Sequence, residues 1–495
     1  MESVKLRVLV LSAVLFACLW LVGTSPARAS AYTPPVPEDL SPLSWTQAFD
    51  SLCTKMAGEY AFTDWRSIDF PGLRAKYRPI VERAENDGDE TAYYLALRAF
   101  TQEFQDGHVY LAPWGDEPAA IMETTEERLA GGGFGLIATR VSGGGVIASW
   151  VDPDGPAAQA GMKVGARLLF WNGLPIQAAL ARASAVLGPS AATQYRVGYE
   201  KARFFVRAPI GGLRTVVYRN PRECTSVSAI LQAVADGGET LNMTDDRSVY
   251  YLGLPDEAVE HWILPGGIGY VRLYIEEDLP LAGDGPRTST LELFRAAMAD
   301  FISAGVSGIV LDVRNNAGGS DLMATQILGS FYAARTIYEY QNFRLPGTDH
   351  FEIWVGDDFG DFDRPGEALW IEPAPQVYAG PVVCLANNGT ISNGEGLAMG
   401  IKNLPNGRLV GMESTNGSFG LAGDMALMPL GFIVKWPFGQ SLDRFRRVQI
   451  DSRMGKGGVT PEVWVPWTAR NAIALYAGED VVLKAGLAEL AQMRR

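Results

Sequence analysis

Ser392 is the residue best placed to do chemistry. It stands in Asn387-Asn388-Gly389-Thr390-Ile391-Ser392-Asn393-Gly394-Glu395, after the apolar run 380–386 and before a helix-forming stretch at 393–401. A serine at a strand–helix junction lies beside the free N–H groups of the helix N-terminus. That place suits a nucleophile whose product carries developing negative charge. Ser392 and Glu395 also spell the S-x-x-E of a helix capping box, so this segment alone leaves capping and attack both open. A second segment, Asp312-Val313-Arg314-Asn315-Asn316-Ala317-Gly318-Gly319, ends another apolar run at 308–313. Its glycine pair offers backbone N–H groups to an anion, or simply makes a tight turn. A serine nucleophile needs a base, and the chain has three histidines: His108, His261 and His350. His108 closes Asp106-Gly107-His108, a polar turn before the short apolar run 109–111.

The elements that must position these residues follow from periodicity. Residues 45–52 and 91–100 place apolar side chains at three- and four-residue intervals, which predicts helices. From about 118 to 222 short alternating runs predict strands. They include 146–151 and 166–171, the second entering an Asn172-Gly173 turn. From about 226 onward strands and helices alternate: strand 267–273, helix 290–304, buried strand 308–313, helix 321–333, buried strand 380–386, helix 393–401. That rhythm predicts an α/β core with parallel neighbours. Residues 343–373, rich in Gly, Asp and Phe, read as a long excursion, a lid or substrate-side loop.

Composition narrows the partners. The chain has 495 residues, 47% hydrophobic and 20% charged, with a net charge of −14. A basic face for nucleic acid is not expected. Lys5 and Arg7, the apolar run 8–22 and Ala27-Arg28-Ala29 predict an export signal cleaved after Ala29. Leu15-Phe16-Ala17-Cys18 loosely resembles a lipobox, which makes a lipoprotein through Cys18 the lesser expectation. Cys53, Cys224 and Cys384 would remain, either one disulfide and one thiol or three buried thiols. No CxxC pair suggests a zinc or redox site. GxSxG and HExxH motifs are absent.

Taken in order, these segments resemble the tail-specific, C-terminal-processing serine peptidases and their tricorn-core relatives. The D-x-R-x-N-x-G-G turn is met by Asp312, Arg314, Asn316, Gly318 and Gly319. The S-x-x-E motif is met by Ser392 and Glu395, G-V-x-P-[DE]-x-x-V by residues 458–465, and D-G-H-V by residues 106–109. The resemblance implies a multidomain α/β protein: a signal peptide at 1–29, a helical N-domain at 30–117, a PDZ-like β domain at 118–222, and a crotonase/ClpP-like α/β catalytic core at 226–495. It implies an exported endopeptidase, periplasmic or secreted, that acts on protein or peptide substrates with no metal or cofactor. Ser392 would be the nucleophile, and the N–H groups of Gly318 and Asn393 the oxyanion donors. A non-catalytic binding protein on the same scaffold, for an apolar ligand or a peptide C-terminus, is the alternative.

The resemblance also bears on the base. One branch carries a lysine in a T-x-G-K-G turn, where this chain has Thr415-Asn416-Gly417-Ser418-Phe419-Gly420. With Ser418 at the lysine position, and neither Lys402 nor Lys435 fitting the pattern, the histidine-using branch assigns His108 as general base. That branch has a serine where Gly107 stands, and a glutamate where this chain reads Met454-Gly455-Lys456-Gly457. Glu395 is then the candidate to orient His108. Gly133-Phe134-Gly135-Leu136 resembles the carboxylate-binding loop of a PDZ domain, with a peptide C-terminus adding as a strand beside 136–139. Gly133, Gly135 and Ala138 also fit G-x-G-x-x-A, but here the motif opens a strand and not a helix.

Overall fold

A computed structural model describes residues 33–244, 255–279, 287–345, 347–356, 362–453 and 457–494. The expected export signal and Cys18 lie outside them. Helices α1 (Trp45–Glu59), α2 (Phe70–Asp87) and α3 (Glu90–Gln102) open the chain. Each starts at a side-chain cap, Ser44, Asp69 and Asp89 respectively, which takes an otherwise unpaired N–H. Their apolar faces do not close on one another alone. Phe49, Leu52, Leu97 and Phe100 share one core with Phe432, Val434 and Trp436 from near the other end of the chain. The strand that follows these helices, β1 (Tyr110–Pro113), therefore joins a sheet of the C-terminal half and leaves His108 just before it.

The middle of the chain forms two small sheets around a core of its own. One holds β2 (Gly132–Gly133). The other begins with β3 (Leu136–Arg140), β4 (Val146–Val151) and β5 (Arg167–Trp171). Helix α4 (Gln194–Phe205) follows, then β6 (Arg207–Ala208), β7 (Leu213–Arg219), β8 (Val227–Gln232) and β9 (Val234–Ala235). The larger sheet runs β8-β7-β5-β4-β3, so β3 is its edge; the smaller runs β9-β2-β6.

The second half follows the predicted alternation. Strands β10 (Val259–Leu264), β11 (Ile268–Leu273) and β12 (Ile309–Asp312) bracket helix α5 (Thr290–Ala304). Helix α6 (Asp321–Leu328) follows β12. The chain continues through β13 (Thr336–Arg344), β14 (Phe351–Gly356), β15 (Leu369–Ile371), β16 (Val382–Leu385), helix α7 (Asn393–Lys402) and β17 (Gly407–Gly411). It ends with β18 (Gly420–Leu427), β19 (Phe432–Leu442), β20 (Val463–Trp464), α8 (Ala469–Tyr476) and α9 (Val481–Met493). The core sheet runs β10-β11-β12-β16-β17-β20, parallel from β11 onward. Ile309 and Leu311 face α5, α6 and α7, whereas Val310 and Val383 face α9. Cover on both faces explains why these strands are apolar throughout.

Two expectations change. The 343–373 excursion carries strands of its own: β14 pairs antiparallel with the end of β13, and β15 with the start of β13. Cys53, Cys224 and Cys384 are all unpaired, and Cys224 is exposed, so neither expected cysteine arrangement holds.

Candidate active site

Ser392 ends the loop that leaves β16 and leads into α7. Its backbone has φ 57° and ψ −129°, and its side chain makes no capping hydrogen bond. The serine half of the capping box that S-x-x-E allows is therefore not taken up. A non-glycine residue at positive φ costs about 1–3 kcal/mol and persists only where its surroundings enforce it. Here the Ile391 N–H donates to the Asn316 carbonyl (3.1 Å) and the Ser392 N–H to the Ser418 carbonyl (3.1 Å). The Thr390 hydroxyl donates to the Val313 carbonyl (2.7 Å). The half-buried Ser392 is thus pinned between the two loops that leave β12 and β17.

The glycine turn packs directly on it. A Cβ at Gly318 would lie 2.5 Å from Ser392 Cβ and 3.0 Å from the Asn393 nitrogen, so only glycine fits. The two expected oxyanion donors differ. Asn393 is the first residue of α7, and no acceptor takes its N–H among the described residues. The Gly318 N–H, however, donates to Asn316 Oδ1 (2.8 Å), so the expected donor is engaged within its own turn. Asn316 is held in turn by Glu276 Oε1 (2.7 Å) and the Leu273 carbonyl (3.0 Å). Gly319, at φ 143°, follows with an N–H that has no acceptor among the described residues. Arg314 binds Asp312 and Asp480, tying the end of β12 to the start of α9. Burial raises the Asp312 pKa, but the Arg314 guanidinium outweighs it and holds the carboxyl below its ordinary range.

Glu395 serves the third loop. Its Oε1 accepts from the Thr415 hydroxyl (2.6 Å) and the Gly417 N–H (2.7 Å), and its Oε2 from the Ser418 N–H (2.8 Å). Burial pushes this carboxyl up to about 7 against those bonds. Both oxygens are spent on the 415–418 turn, so Glu395 shapes that turn and does not orient His108 as expected. Ser418, at the lysine position of the other branch, has a definite task. Its hydroxyl accepts the Gly107 N–H at 2.6 Å while its carbonyl holds Ser392. A Cβ at Gly107 would lie 2.4 Å from Asn416 Oδ1 and 2.9 Å from Ser418 Oγ. This close approach explains why glycine stands at position 107. Nothing in the sequence marked Ser418 beyond the absence of a lysine.

His108 is 7% exposed. Its backbone N–H donates to Asp106 Oδ1 (3.0 Å), and Tyr60 OH donates to Asp106 Oδ2 (2.9 Å). Burial holds the imidazole below its ordinary pKa; Asp106 opposes this, while Arg66 and Lys435 add to it. Nδ1 is buried with no partner, and no hydrogen bond joins His108 to Ser392 among the described residues. Catalytic hydrogen bonds are often long without substrate and tighten once it binds. His261 pairs with Asp300 (3.1 Å) at the surface, and the His350 side chain is exposed. Lys402 donates to the Thr460 carbonyl (2.7 Å). No cluster of three or more His, Cys, Asp or Glu suited to a metal occurs among the described residues.

Ser392, Gly318, Asn393, Glu395 and the Asp106–His108 segment thus meet around Ser418. Gly133, Phe134, Gly135 and Leu136 stand apart in the middle unit and are all buried. Residues 267–465 match the model of peptidase family S41, and residues 41–89 match the tricorn protease C1 domain. No curated protein matches. Among solved structures, mature CPAF complexed with lactacystin is 14% identical over 91% of this chain and 98% of that one, with a TM-score of 0.59. A peptidase-like protein of Parabacteroides merdae is 16% identical over 89% and 95%, with a TM-score of 0.46. The photosystem II D1 C-terminal processing protease is 19% identical over 89% and 98%, with a TM-score of 0.37.

Proposed function

We propose that this serine-type peptidase, whose residues 267–465 match peptidase family S41, is an exported endopeptidase that works through a Ser392 acyl-enzyme with His108 as its base. The observation that carries the assignment is the Ser392 backbone at φ 57°, with a side chain spent on no cap. A serine held in strain for packing alone would be replaced by glycine at no loss.

In the reaction, Ser392 Oγ attacks the scissile carbonyl carbon and its proton passes to the His108 imidazole. Burial favours the neutral imidazole that can accept it. Negative charge gathers on the former carbonyl oxygen. The Asn393 N–H at the start of α7 and an N–H of the 318–319 turn receive it, Gly318 only after releasing Asn316. The C–N bond breaks, the protonated His108 returns its proton to the leaving amine, and water repeats the sequence on the ester. Export rests on the segment 1–29 and suits a periplasmic or secreted protein.

Kinetics of Ser392→Ala on an unfolded protein substrate test this reading. Loss of a cap costs about 1 kcal/mol of stability, whereas loss of a nucleophile removes roughly 10⁴-fold or more of the rate. Near-normal turnover by the alanine variant overturns the assignment.

A further inference from the structure

The loop after β11 carries Glu276, a carboxylic acid with no exposure to solvent. Its backbone brackets the glycine turn. The Glu276 N–H donates to the Gly318 carbonyl (2.9 Å), and the Glu276 carbonyl accepts the Ser320 N–H (2.9 Å). A Cβ on Gly319 would lie 2.6 Å from that carbonyl oxygen, so the two segments touch. The side chain reaches the same turn by a second route. Its Oε1 accepts from Asn316 Nδ2 (2.7 Å), which leaves the other end of that amide, Oδ1, on the Gly318 N–H (2.8 Å). Asn316 also meets the nucleophile loop: its carbonyl accepts the Ile391 N–H (3.1 Å), and a Cβ on Gly394 would lie 2.4 Å from its Oδ1. One asparagine thus contacts the glycine turn, the loop before Ser392 and the first turn of α7, and Glu276 sets its orientation.

An acceptor needed only for packing would not have to be an acid. Glu276 Oε2 is buried without a partner, and a buried polar atom left unpaired costs stability. The groups around it do not favour a charge. Glu277, next in the chain, and Asp321, at the start of α6, are acidic, and burial keeps the Tyr338 phenol of β13 neutral. Lys435 of β19 faces Glu277, and Glu339 of β13 faces Asp321. Burial pushes the Glu276 carboxyl up to about 8 against the bond from Asn316, and Glu277 and Asp321 add to the rise. The oxyanion of the reaction forms on the same turn. An ionised Glu276 would set a second negative charge behind it, where little water screens the repulsion.

We propose that Glu276 is a positioning residue of the peptidase reaction: as a neutral carboxyl it holds Asn316 and, through it, the 318–319 turn that receives the oxyanion, and its ionisation closes that turn to a second negative charge. The proposal rests on the reading of Ser392 as nucleophile.

The test is kcat between pH 7 and 9.5 for the full-length protein, Glu276→Gln and Glu276→Leu, on an N-acetylated, C-amidated peptide with no group that titrates in that range. The parent should lose at least tenfold, with its midpoint at about 8. Glu276→Gln cannot ionise and should lose less than twofold. At pH 7 Glu276→Leu should lie at least tenfold below the parent, and Glu276→Gln should recover most of that loss, because its amide oxygen still accepts from Asn316. Tryptophan fluorescence of parent and Glu276→Gln should stay native across the range. An alkaline limb that survives in Glu276→Gln, a parent with no such limb, or equal activity of the Gln and Leu variants overturns the proposal. So does a limb that coincides with loss of native fluorescence, since the carboxyl would then hold only the fold. A parent that turns over no peptide at any pH overturns the peptidase reading and this proposal with it, whereas the other failures leave that reading standing.

Discussion

The backbone N–H of Gly107 donates to the hydroxyl of Ser418 at 2.6 Å, and the carbonyl of the same serine accepts the N–H of Ser392 at 3.1 Å. Ser418, through its side chain and its backbone together, thereby ties the segment bearing His108 to the loop bearing Ser392, across more than 300 residues of sequence.

Ser418→Ala should leave the buried Gly107 N–H unpaired, at a cost of about 1–3 kcal/mol. The expected outcome is a modest fall in melting temperature with at least a tenfold drop in kcat/KM. Thermal unfolding and steady-state kinetics on the same preparation check it. A drop in stability with unchanged kcat/KM would show that the link does not align the site.

Gly107→Ser should lower activity. Its Cβ would be driven to 2.4 Å from Asn416 Oδ1, and overpacking of this kind costs about 1–3 kcal/mol. The strain falls on the 415–418 turn, so kcat should fall more than KM rises. Kinetics at saturating and at limiting peptide separate the two.

His108 should give an acid limb in kcat/KM below the ordinary histidine value of about 6.5, because burial, Arg66 and Lys435 all disfavour its charged form and outweigh Asp106. Activity needs the neutral ring, so the rate falls as pH drops through that limb. Lys435→Met removes one cation and should move the limb upward. A pH–rate profile of the two proteins decides this, and no movement would place Lys435 outside the field of His108.

Glu395 gives the opposite sign in stability. Its carboxyl is raised from 4.5 to about 7, so the folded state holds its proton more tightly than the unfolded state. That contribution is present in full below pH 4.5 and is lost as pH rises through about 7. Glu395→Gln cannot titrate, so the parent's stability advantage over it should shrink between pH 4.5 and 8. Denaturant melts across that range measure it. Glu395→Gln also sets an amide N–H₂ or a neutral oxygen against three donors, which should loosen the 415–418 turn and lower kcat.

The buried strands were legible in the sequence. Residues 308–313 and 380–386 are apolar on both faces, and the structure covers both faces. The strand–serine–helix placement of Ser392 was legible for the same reason. Residues 343–373 misled because Gly, Asp and Phe suggest a loop, whereas β14 is fixed by pairing back onto the end of β13. Gly318 misled more subtly. A backbone N–H in a glycine turn looks free, but Asn316 two residues earlier takes it, a local competition that motif spacing does not reveal.

The central claim is that Ser392 is the nucleophile, and covalent labelling with a fluorophosphonate reports on it most directly. Intact mass of the full-length protein should show one adduct per chain, peptide mapping should place it on Ser392, and Ser392→Ala should take up none. Labelling at another serine, or equal labelling of Ser392→Ala, would contradict the account.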